Sequence, residues 1–305
     1  MRVLYVGPMS YGSNAGVDAL GHGLESRLAE NGIEMRVIYA DFRDEGWPGT
    51  SGDAVRAGAD AGVDAIVVWV IDVNQPAEAV QYARDKGIPV VALERPRYPV
   101  DASVVYPNFN HGVYMAEYLA TVVPAGSRVA VVGGPEVVDD IELMLGLKHG
   151  LEWAGLERVN DPDDPRYKNV SDVAEGGKEK TANILADFPD IDVLIPYNDE
   201  TMLGSVEALK EAGRLGEVTM VSRNGTPKAV ELIRQGVHGG TWDLDIPGIG
   251  QTVADLVVRH LVHGEEWDGE SVASPIGRMI TPERAQSWVP WDQRIPYNPL
   301  VEGLD

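Results

Sequence analysis

The sequence predicts an α/β fold in which two similar lobes each carry a parallel sheet and are joined by a hinge. Short apolar segments alternate with single helical segments, the alternation repeats in the second half, and 305 residues is a length typical of about two domains. Strands separated by single helices form parallel sheets with right-handed crossovers. No Ser/Gly-rich linker separates the halves, which favours several short chain crossings over a flexible tether.

In the first half, apolar and β-branched runs mark the strands, and longer segments closed by glycine mark the helices. The predicted strands are Val3–Val6, Met35–Tyr39, Val63–Val70, Ile88–Leu93 and Val104–Tyr106. The predicted helices are one that follows the Gly/Ser/Asn turn and ends near Glu30, one that includes Ala54–Gly58, and Pro76–Lys86.

The second half repeats the pattern. The predicted strands are Arg128–Val132, Val193–Ile195 and Val218–Ser222, and the predicted helices include His111–Thr121, Asp140–Trp153, Lys178–Ala186, Ala229–Gln235 and Gly248–His263. The last helix follows a completed half, so we expect it to pack on the first lobe. We therefore expect residues 1–105 and 243–275 in the N-terminal lobe, and residues 106–242 and 276–305 in the C-terminal lobe and tail.

The clearest indication of a site lies after one apolar strand of the second half. The strand Val193–Ile195 ends at Pro196, and Asn198, Asp199 and Glu200 follow where a helix begins. Ligands of open parallel sheets bind outside the carboxyl ends of the strands. This polar cluster is therefore well placed to hydrogen-bond a polar ligand, with the alternative that Asp199 only caps the helix.

Composition limits the partners. The net charge is −23, from 48 acidic and 25 basic residues, which argues against nucleic acid or an anionic membrane as a partner. The chain has no cysteine, so disulfides and Cys-bound metals are excluded. No apolar run reaches the roughly 20 residues of a membrane helix, and a strand follows Met1-Arg2 without a signal-peptide pattern. We expect either a cytoplasmic protein or an exported one whose leader was removed.

Three segments resemble the type I periplasmic sugar-binding proteins, the ribose- and galactose-binding family. Ile88–Arg95 is similar to the family's IPVxxxDR strand, Asn198–Gly204 to its NDxxAxG segment, and Val221–Pro227 to its VGFDGTP segment. Each motif alone is weak, but their order and spacing are specific. The resemblance implies two Rossmann-like lobes, three hinge crossings and a monosaccharide-like ligand closed between the lobes.

The resemblance also implies the ligand contacts, to which we add aromatic residues that suit stacking on the C–H face of a sugar. The candidates are Tyr11, Ser13, Asn14, Trp69, Asp72, Glu94, Arg95, Leu147, Asn198, Asn224, Trp242, Asp243 and Asp245. Two stacking aromatics of the family are absent after the first strand, and Leu147 aligns with the family's Arg. These departures favour a polyol, deoxy-sugar or modified sugar over an ordinary pyranose.

Sugar hydroxyls need donors and acceptors together, because a hydroxyl buried without a partner costs a few kcal/mol. Glu94 and Arg95 supply both at one strand end, with a local ion pair between neighbouring side chains as the alternative. Asn224 precedes Gly225, so turn formation is the alternative to ligand contact there. Trp288 and Trp291 in the tail are expected to be packing residues.

Catalytic and metal motifs are missing. The chain has no nucleophile-elbow, P-loop or dinucleotide-binding motif, so we expect no cofactor. His260 and His263 stand three residues apart without an obvious third ligand, and we expect surface positions for them and no metal.

We therefore expect a solute-binding protein that passes a small neutral carbohydrate or polyol to the membrane permease of an ABC importer. Because binders of this kind are usually monomers, we expect a monomer. The alternatives are a ligand-sensing partner of a membrane receptor or regulator and, more remotely, an enzyme acting on sugars.

Overall fold

The structure, a computed structural model, describes residues 1–304. Its strands are β1 (Arg2–Gly7), β2 (Glu34–Tyr39), β3 (Glu45–Pro48), β4 (Ala65–Trp69), β5 (Val90–Leu93), β6 (Ala102–Val105), β7 (Arg128–Val132), β8 (Glu157–Arg158), β9 (Val193–Pro196), β10 (Thr219–Asn224), β11 (Gly240–Asp243), β12 (Glu270–Ala273) and β13 (Arg278–Ile280). Its helices are α1 (Ala15–Glu30), α2 (Gly49–Ala61), α3 (Ala77–Asp85), α4 (Asn108–Val122), α5 (Val138–Trp153), α6 (Ala174–Asp187), α7 (Asp199–Glu211), α8 (Pro227–Arg234), α9 (Ile246–Leu261), α10 (Pro282–Ala285) and α11 (Trp291–Arg294).

The first of two compact units comprises Met1–Tyr106, Ile246–Pro275 and Trp291–Asp305. Its six-stranded sheet has the order β12-β6-β5-β4-β1-β2, and every pair is parallel. All four residues from Val3 to Val6 in β1 are buried, as expected for a central strand covered on both faces. Helix α1 packs on α9, and α2 packs on α3.

The second unit comprises Pro107–Asp245 and Ile276–Pro290. Its sheet has the order β13-β11-β10-β9-β7-β8, in which only the β11–β13 pair is antiparallel. Helix α4 packs on α5, and α6 packs on α7. The two mainly parallel sheets with interleaved helices confirm the predicted α/β fold class.

Reciprocal glycine contacts bring paired helices together. In each of three pairs, each helix contributes a glycine whose added Cβ would strike the other helix's backbone: Gly23 and Gly250 in α1 and α9, Gly112 and Gly146 in α4 and α5, and Gly177 and Gly204 in α6 and α7. At Gly204 the added Cβ would lie 1.7 Å from the carbonyl oxygen of Ala174. These positions therefore require glycine for close approach rather than for an unusual φ.

The tail of the chain belongs to a different unit from the one that the sequence predicts. Residues Trp291–Asp305 belong to the first unit, whereas the tail was expected in the C-terminal lobe. The chain consequently passes between the units four times, after Tyr106, Asp245, Pro275 and Pro290, rather than three times. The physical reason is that the tail pairs with β2, a contact that no local pattern signals.

Within residues 1–304, none of the helices combines the length and the apolar character that crossing a bilayer requires.

Candidate ligand-binding site

The loop after β1 forms one part of the carboxyl edge of the first sheet. Asn14 is the N-cap of α1, because its Oδ1 accepts hydrogen bonds from the amides of Gly16 at 2.9 Å and Val17 at 3.2 Å. The hydroxyl of Ser13 donates to the carbonyl of Ser10 at 2.6 Å. Ser13 and Asn14, both predicted ligand contacts, therefore use these polar atoms in hydrogen bonds that shape the loop.

Tyr11 lies in the same loop and is 54% exposed. Its hydroxyl is 3.3 Å from Nε2 of His22, and the two rings meet edge to face with centroids 5.8 Å apart. The ring is thus held at its hydroxyl end and open to solvent elsewhere, which suits an aromatic platform.

Trp69 and Asp72 lie at the end of β4. Trp69 is half-buried, and its ring meets that of Tyr106 edge to face at 6.3 Å. Asp72 accepts from the backbone amide of Asn74 at 2.7 Å and from its side-chain amide at 3.2 Å, which forms a side-chain-stabilised turn. Of the two residues, Trp69 has the side chain that suits a stacking contact.

Glu94 and Arg95 follow β5 and diverge. Glu94 is 2% exposed, has a φ of 72°, and lies 3.5 Å through Oε2 from the amide of Tyr106. Arg95 is exposed and lines a separate cavity of about 490 Å³ with Tyr98 and Ser103. A non-glycine residue in the left-handed region at a strand end is a strained position of a kind common at functional sites.

Asn198 in the second unit is the N-cap of α7. Its Oδ1 accepts from the amide of Thr201 at 2.9 Å, and its Nδ2 donates to Oδ1 of Asp172 at 2.6 Å. Asp172 also accepts from the hydroxyl of Tyr197, and burial together with the Asp172 charge raises the Tyr197 pKa well above its ordinary value. Asn198 therefore connects the start of α7 to the loop before α6.

Asp199, which the sequence offered as the cap, has a different role. It is fully buried and accepts from the hydroxyl of Ser222, the amide of Thr226 at 2.7 Å and the hydroxyl of Thr241 at 2.8 Å. Burial raises its pKa to about 6, although these hydrogen bonds oppose the shift. The capping alternative for Asp199 is wrong, because this carboxylate links α7 to β10 and β11.

Ser222, His238 and Asp199 lie together but not in the order of a catalytic triad. Ser222 Oγ is 2.8 Å from Nε2 of His238 and donates to Asp199, so the carboxylate contacts the serine rather than the histidine. All three are buried, and burial lowers the His238 pKa to about 3. The arrangement is a sealed hydrogen-bond network between strands.

Arg223 is the residue that sequence reasoning missed. It is 2% exposed, its Nη2 donates to Oδ1 of Asn108, and its Nη1 is 3.6 Å from Oδ2 of Asp139. Its Nε has no hydrogen-bond partner among residues 1–304. The next residue, Asn224, ends β10 with a φ of 124° and is half-buried. A charged residue directly after the predicted strand Val218–Ser222 was the available signal.

Asp140 is buried, and its carboxyl is close enough to Arg223 and Asp139 for their charges to act on it. Its Oδ2 accepts from the amide of Gly134 at 3.2 Å, and its Oδ1 has no partner among the described residues. Burial raises the Asp140 pKa well above its ordinary value, the charge of Asp139 adds to the rise, and the charges of Arg223 and Lys168 oppose it. A carboxyl that favours its neutral form can both donate and accept.

Trp242 and Asp243, at the end of β11, contact other residues of the second unit. The indole N–H of Trp242 donates to the carbonyl of Ile276 at 3.1 Å, and its ring stacks on Tyr114 at 5.3 Å. Asp243 accepts through Oδ2 from the indole of Trp288 at 2.7 Å and through Oδ1 from the amide of Asp245 at 2.9 Å. Through these contacts Trp242 and Asp243 hold the local structure together. The predicted packing role of Trp288 is confirmed by its burial.

Two further expectations need correction. Leu147 is 2% exposed and sits where α5 meets α4, so we withdraw it from the contact set. His260 is buried rather than at the surface: its Nδ1 is 2.9 Å from the Glu265 carbonyl, its Nε2 is 3.1 Å from Glu270, and its ring stacks on Trp267 at 3.8 Å. Among residues 1–304, no group of three or more His, Asp or Glu side chains is arranged to hold a metal ion.

The chain is similar to sugar- and polyol-binding proteins over most of its length. The ribose import binding protein of Bacillus subtilis is 28% identical over 263 residues, which cover 85% of this chain and 81% of that protein. The xylitol-binding protein of Mycolicibacterium smegmatis is 26% identical over 247 residues, covering 78% and 67%.

Solved structures share the fold. An ABC transporter periplasmic solute binding protein from Actinobacillus succinogenes with bound D-allose has a TM-score of 0.81 at 23% identity and covers 94% of this chain and 99% of its own. An ABC transporter solute binding protein from Bacillus halodurans with bound myo-inositol has a TM-score of 0.78 at 22% identity, covering 94% and 95%. The sequence profile described as periplasmic binding protein domain matches residues 6–266, which is well over half of the chain. The chain therefore belongs to the periplasmic binding protein domain family.

Proposed function

We propose that this protein captures a small neutral sugar, polyol or modified sugar and delivers it to an ABC importer. Proteins of its family bind solutes for transport and are not enzymes. The relatives named for ribose and xylitol, and the structures solved with D-allose and myo-inositol, support a ligand that is small, uncharged and rich in hydroxyls.

The observation that carries the ligand class is the charge balance at the carboxyl edge of the second sheet. Arg223 is matched by Asp139 at 3.6 Å, and Asp140 beside them has a pKa that burial raises. Such a set offers donors and acceptors with little net charge, which suits hydroxyls. Because the charges of Arg223 and Asp139 offset each other, neither an anionic nor a cationic ligand gains a net electrostatic attraction there.

The proposed site consists of residues that contact the ligand and residues that support those contacts. On the first sheet we propose contacts from Tyr11, Trp69, Glu94 and Arg95. On the second sheet we propose Asn224 from the sequence-based set, and we add Arg223 and Asp140. The remaining candidates support the site through the bonds described above: Ser13, Asn14, Asp72, Asn198, Trp242, Asp243 and Asp245.

The proposed partner is the permease of an ABC importer, with the binding protein acting as a monomer on the outer side of the membrane. The support is that the Bacillus subtilis relative is a ribose import binding protein and that the structural neighbours are solute binding proteins of ABC transporters.

A thermal-shift panel tests the proposal. The neutral probes are D-ribose, D-allose, D-xylose, xylitol and myo-inositol, and the charged controls are D-gluconate and D-ribose 5-phosphate. A ligand at about 100 times its Kd stabilises the folded state by about 2.7 kcal/mol, so a clear rise in Tm is expected from at least one neutral probe and none from the charged ones. A folded protein that no neutral probe stabilises would contradict the proposed ligand class.

A further inference from the structure

The described part of the tail, residues 291–304, makes two separate sets of contacts within the first unit. Its last part adds to the edge of the sheet: the amide of Val37 in β2 donates to the carbonyl of Val301 at 2.9 Å, and the amide of Gly303 donates to the carbonyl of Val37 at 3.0 Å. These bonds cover an edge strand that would otherwise expose unpaired backbone groups.

An earlier part of the tail reaches α1 instead. Nδ1 of His22 is 3.1 Å from the backbone carbonyl of Asn298, and the His22 ring stacks on Tyr297 with centroids 4.1 Å apart and an angle of 17°. The side chain of Asn298 also donates to Glu25 at 2.7 Å. A carbonyl only accepts, so Nδ1 of His22 carries the hydrogen and Nε2 is left as an acceptor.

The acceptor Nε2 faces the loop after β1. It lies 3.3 Å from the hydroxyl of Tyr11, which therefore donates to it. Ser13 and Asn14 belong to the same loop, and the amide of Ser13 donates to the carbonyl of Ser10 at 3.1 Å. The tail thus determines which nitrogen of the His22 ring carries the hydrogen, and the other nitrogen holds the hydroxyl of the exposed Tyr11.

We infer that Tyr297 and Asn298 in the tail are positioning residues of the ligand site, which through His22 hold the Tyr11 ring ready to cover the C–H face of a sugar or polyol. The inference rests on the proposed function, because Tyr11 needs a ligand to contact. Edge covering is the other role of the tail, and it belongs to residues 301–303. The two roles are therefore separable along the chain.

Two shortened chains distinguish the positioning role of the tail from its edge-covering role. A chain that ends at Leu300 loses the bonds to β2 and keeps the contacts to His22, whereas a chain that ends at Ile295 loses both. The readouts are the Kd for D-ribose and for xylitol by titration calorimetry, and the hydrogen exchange of the Ser13 amide. The chain ending at Leu300 is expected to keep both values within about twofold. The chain ending at Ile295 is expected to bind about tenfold more weakly, which corresponds to about 1.4 kcal/mol, and to exchange faster, because the aromatic contact of Tyr11 is no longer held in place.

Point variants repeat the test in the full chain if the shorter one does not fold. His22→Phe keeps the stacking and removes both ring nitrogens, and Tyr11→Phe removes only the hydroxyl. Each is expected to weaken binding, and the double variant is expected to weaken it no further than the stronger single one, because both break the same link. Additive losses, or unchanged Kd and exchange in His22→Phe, overturn the inference. If the unaltered protein binds neither probe, the proposed function fails for them, and hydrogen exchange at Ser13 alone decides whether the tail positions the loop.

Discussion

Asn198 caps α7 with its Oδ1 and binds Oδ1 of Asp172 with its Nδ2 at 2.6 Å, so one amide side chain holds a helix start and a loop together. Asp172 has a φ of 53°, a backbone conformation that non-glycine residues adopt rarely. The loop is therefore shaped by its contacts rather than by its intrinsic preference, and removal of Asn198 should release it.

We predict that Asn198→Ala lowers the free energy of unfolding by about 1–2 kcal/mol, because it deletes an N-cap and a hydrogen bond to a buried carboxylate. Urea unfolding followed by circular dichroism measures the loss. The matched control is Gln81→Ala, which removes an exposed amide bonded to Asp85 at 2.7 Å and should change stability by less than about 0.5 kcal/mol. Equal losses in the two variants would contradict the assignment of Asn198.

Local patterns predicted the order of strands and helices, whereas contacts distant in sequence determined the roles of individual side chains. Asp199 was offered as a cap, but its partners Ser222 and Thr241 are 23 and 42 positions further along the chain. Arg223 went unnoticed because its partner Asn108 lies 115 positions away. Neither relationship leaves a periodic trace in the sequence.

The same reasoning explains the tail. Residues after Pro282 show no regular apolar spacing because they form short helices and a single bridge to β2 rather than a long element. Only the position of β2 at the edge of the sheet makes that bridge possible. Sequence could indicate that tryptophans in this region pack, but not which unit they join.

Arg223 should matter for ligand binding more than an exposed arginine of the same unit. We predict that Arg223→Met weakens binding of the best neutral probe by at least about tenfold, because charge-assisted hydrogen bonds contribute about 1.5–3 kcal/mol. The control Arg166→Met removes an exposed pair with Asp187 and should leave the Kd unchanged. Calorimetric titration measures both, and an unchanged Kd in Arg223→Met would remove this residue from the site.

The pKa of Asp199 predicts a pH-dependent stability difference. Its folded-state pKa of about 6 exceeds the ordinary value of 3.8, so the folded state holds this proton more tightly than the unfolded state does. The contribution of Asp199 is therefore most favourable below about pH 4 and is lost as pH rises through about 6. The shift corresponds to about 3 kcal/mol.

Asp199→Asn removes this titration. We predict that the stability of the unaltered protein relative to Asp199→Asn falls by up to about 3 kcal/mol between pH 4 and pH 7, as measured by urea unfolding at each pH. Asp187→Asn is the control of opposite sign, because the hydrogen bond from Arg166 lowers the pKa of Asp187 and its contribution grows with pH. Parallel pH profiles for the unaltered protein and Asp199→Asn would show that this carboxyl does not titrate as described.

Substitution of one of the reciprocal glycines tests how closely the paired helices pack. An added Cβ at Gly204 would lie 1.7 Å from the carbonyl oxygen of Ala174 and 2.5 Å from the amide nitrogen of Lys178, and backbone atoms of a packed helix cannot rotate away as a side chain can. We predict that Gly204→Ala lowers the free energy of unfolding by about 2–3 kcal/mol, because α6 and α7 must separate to admit the methyl group. Gly49→Ala is the control, since no atom lies within 4 Å of the Cβ it would add. Denaturant unfolding of both variants measures the difference. A Gly204→Ala protein as stable as Gly49→Ala would mean that the two helices are held further apart than their glycines indicate.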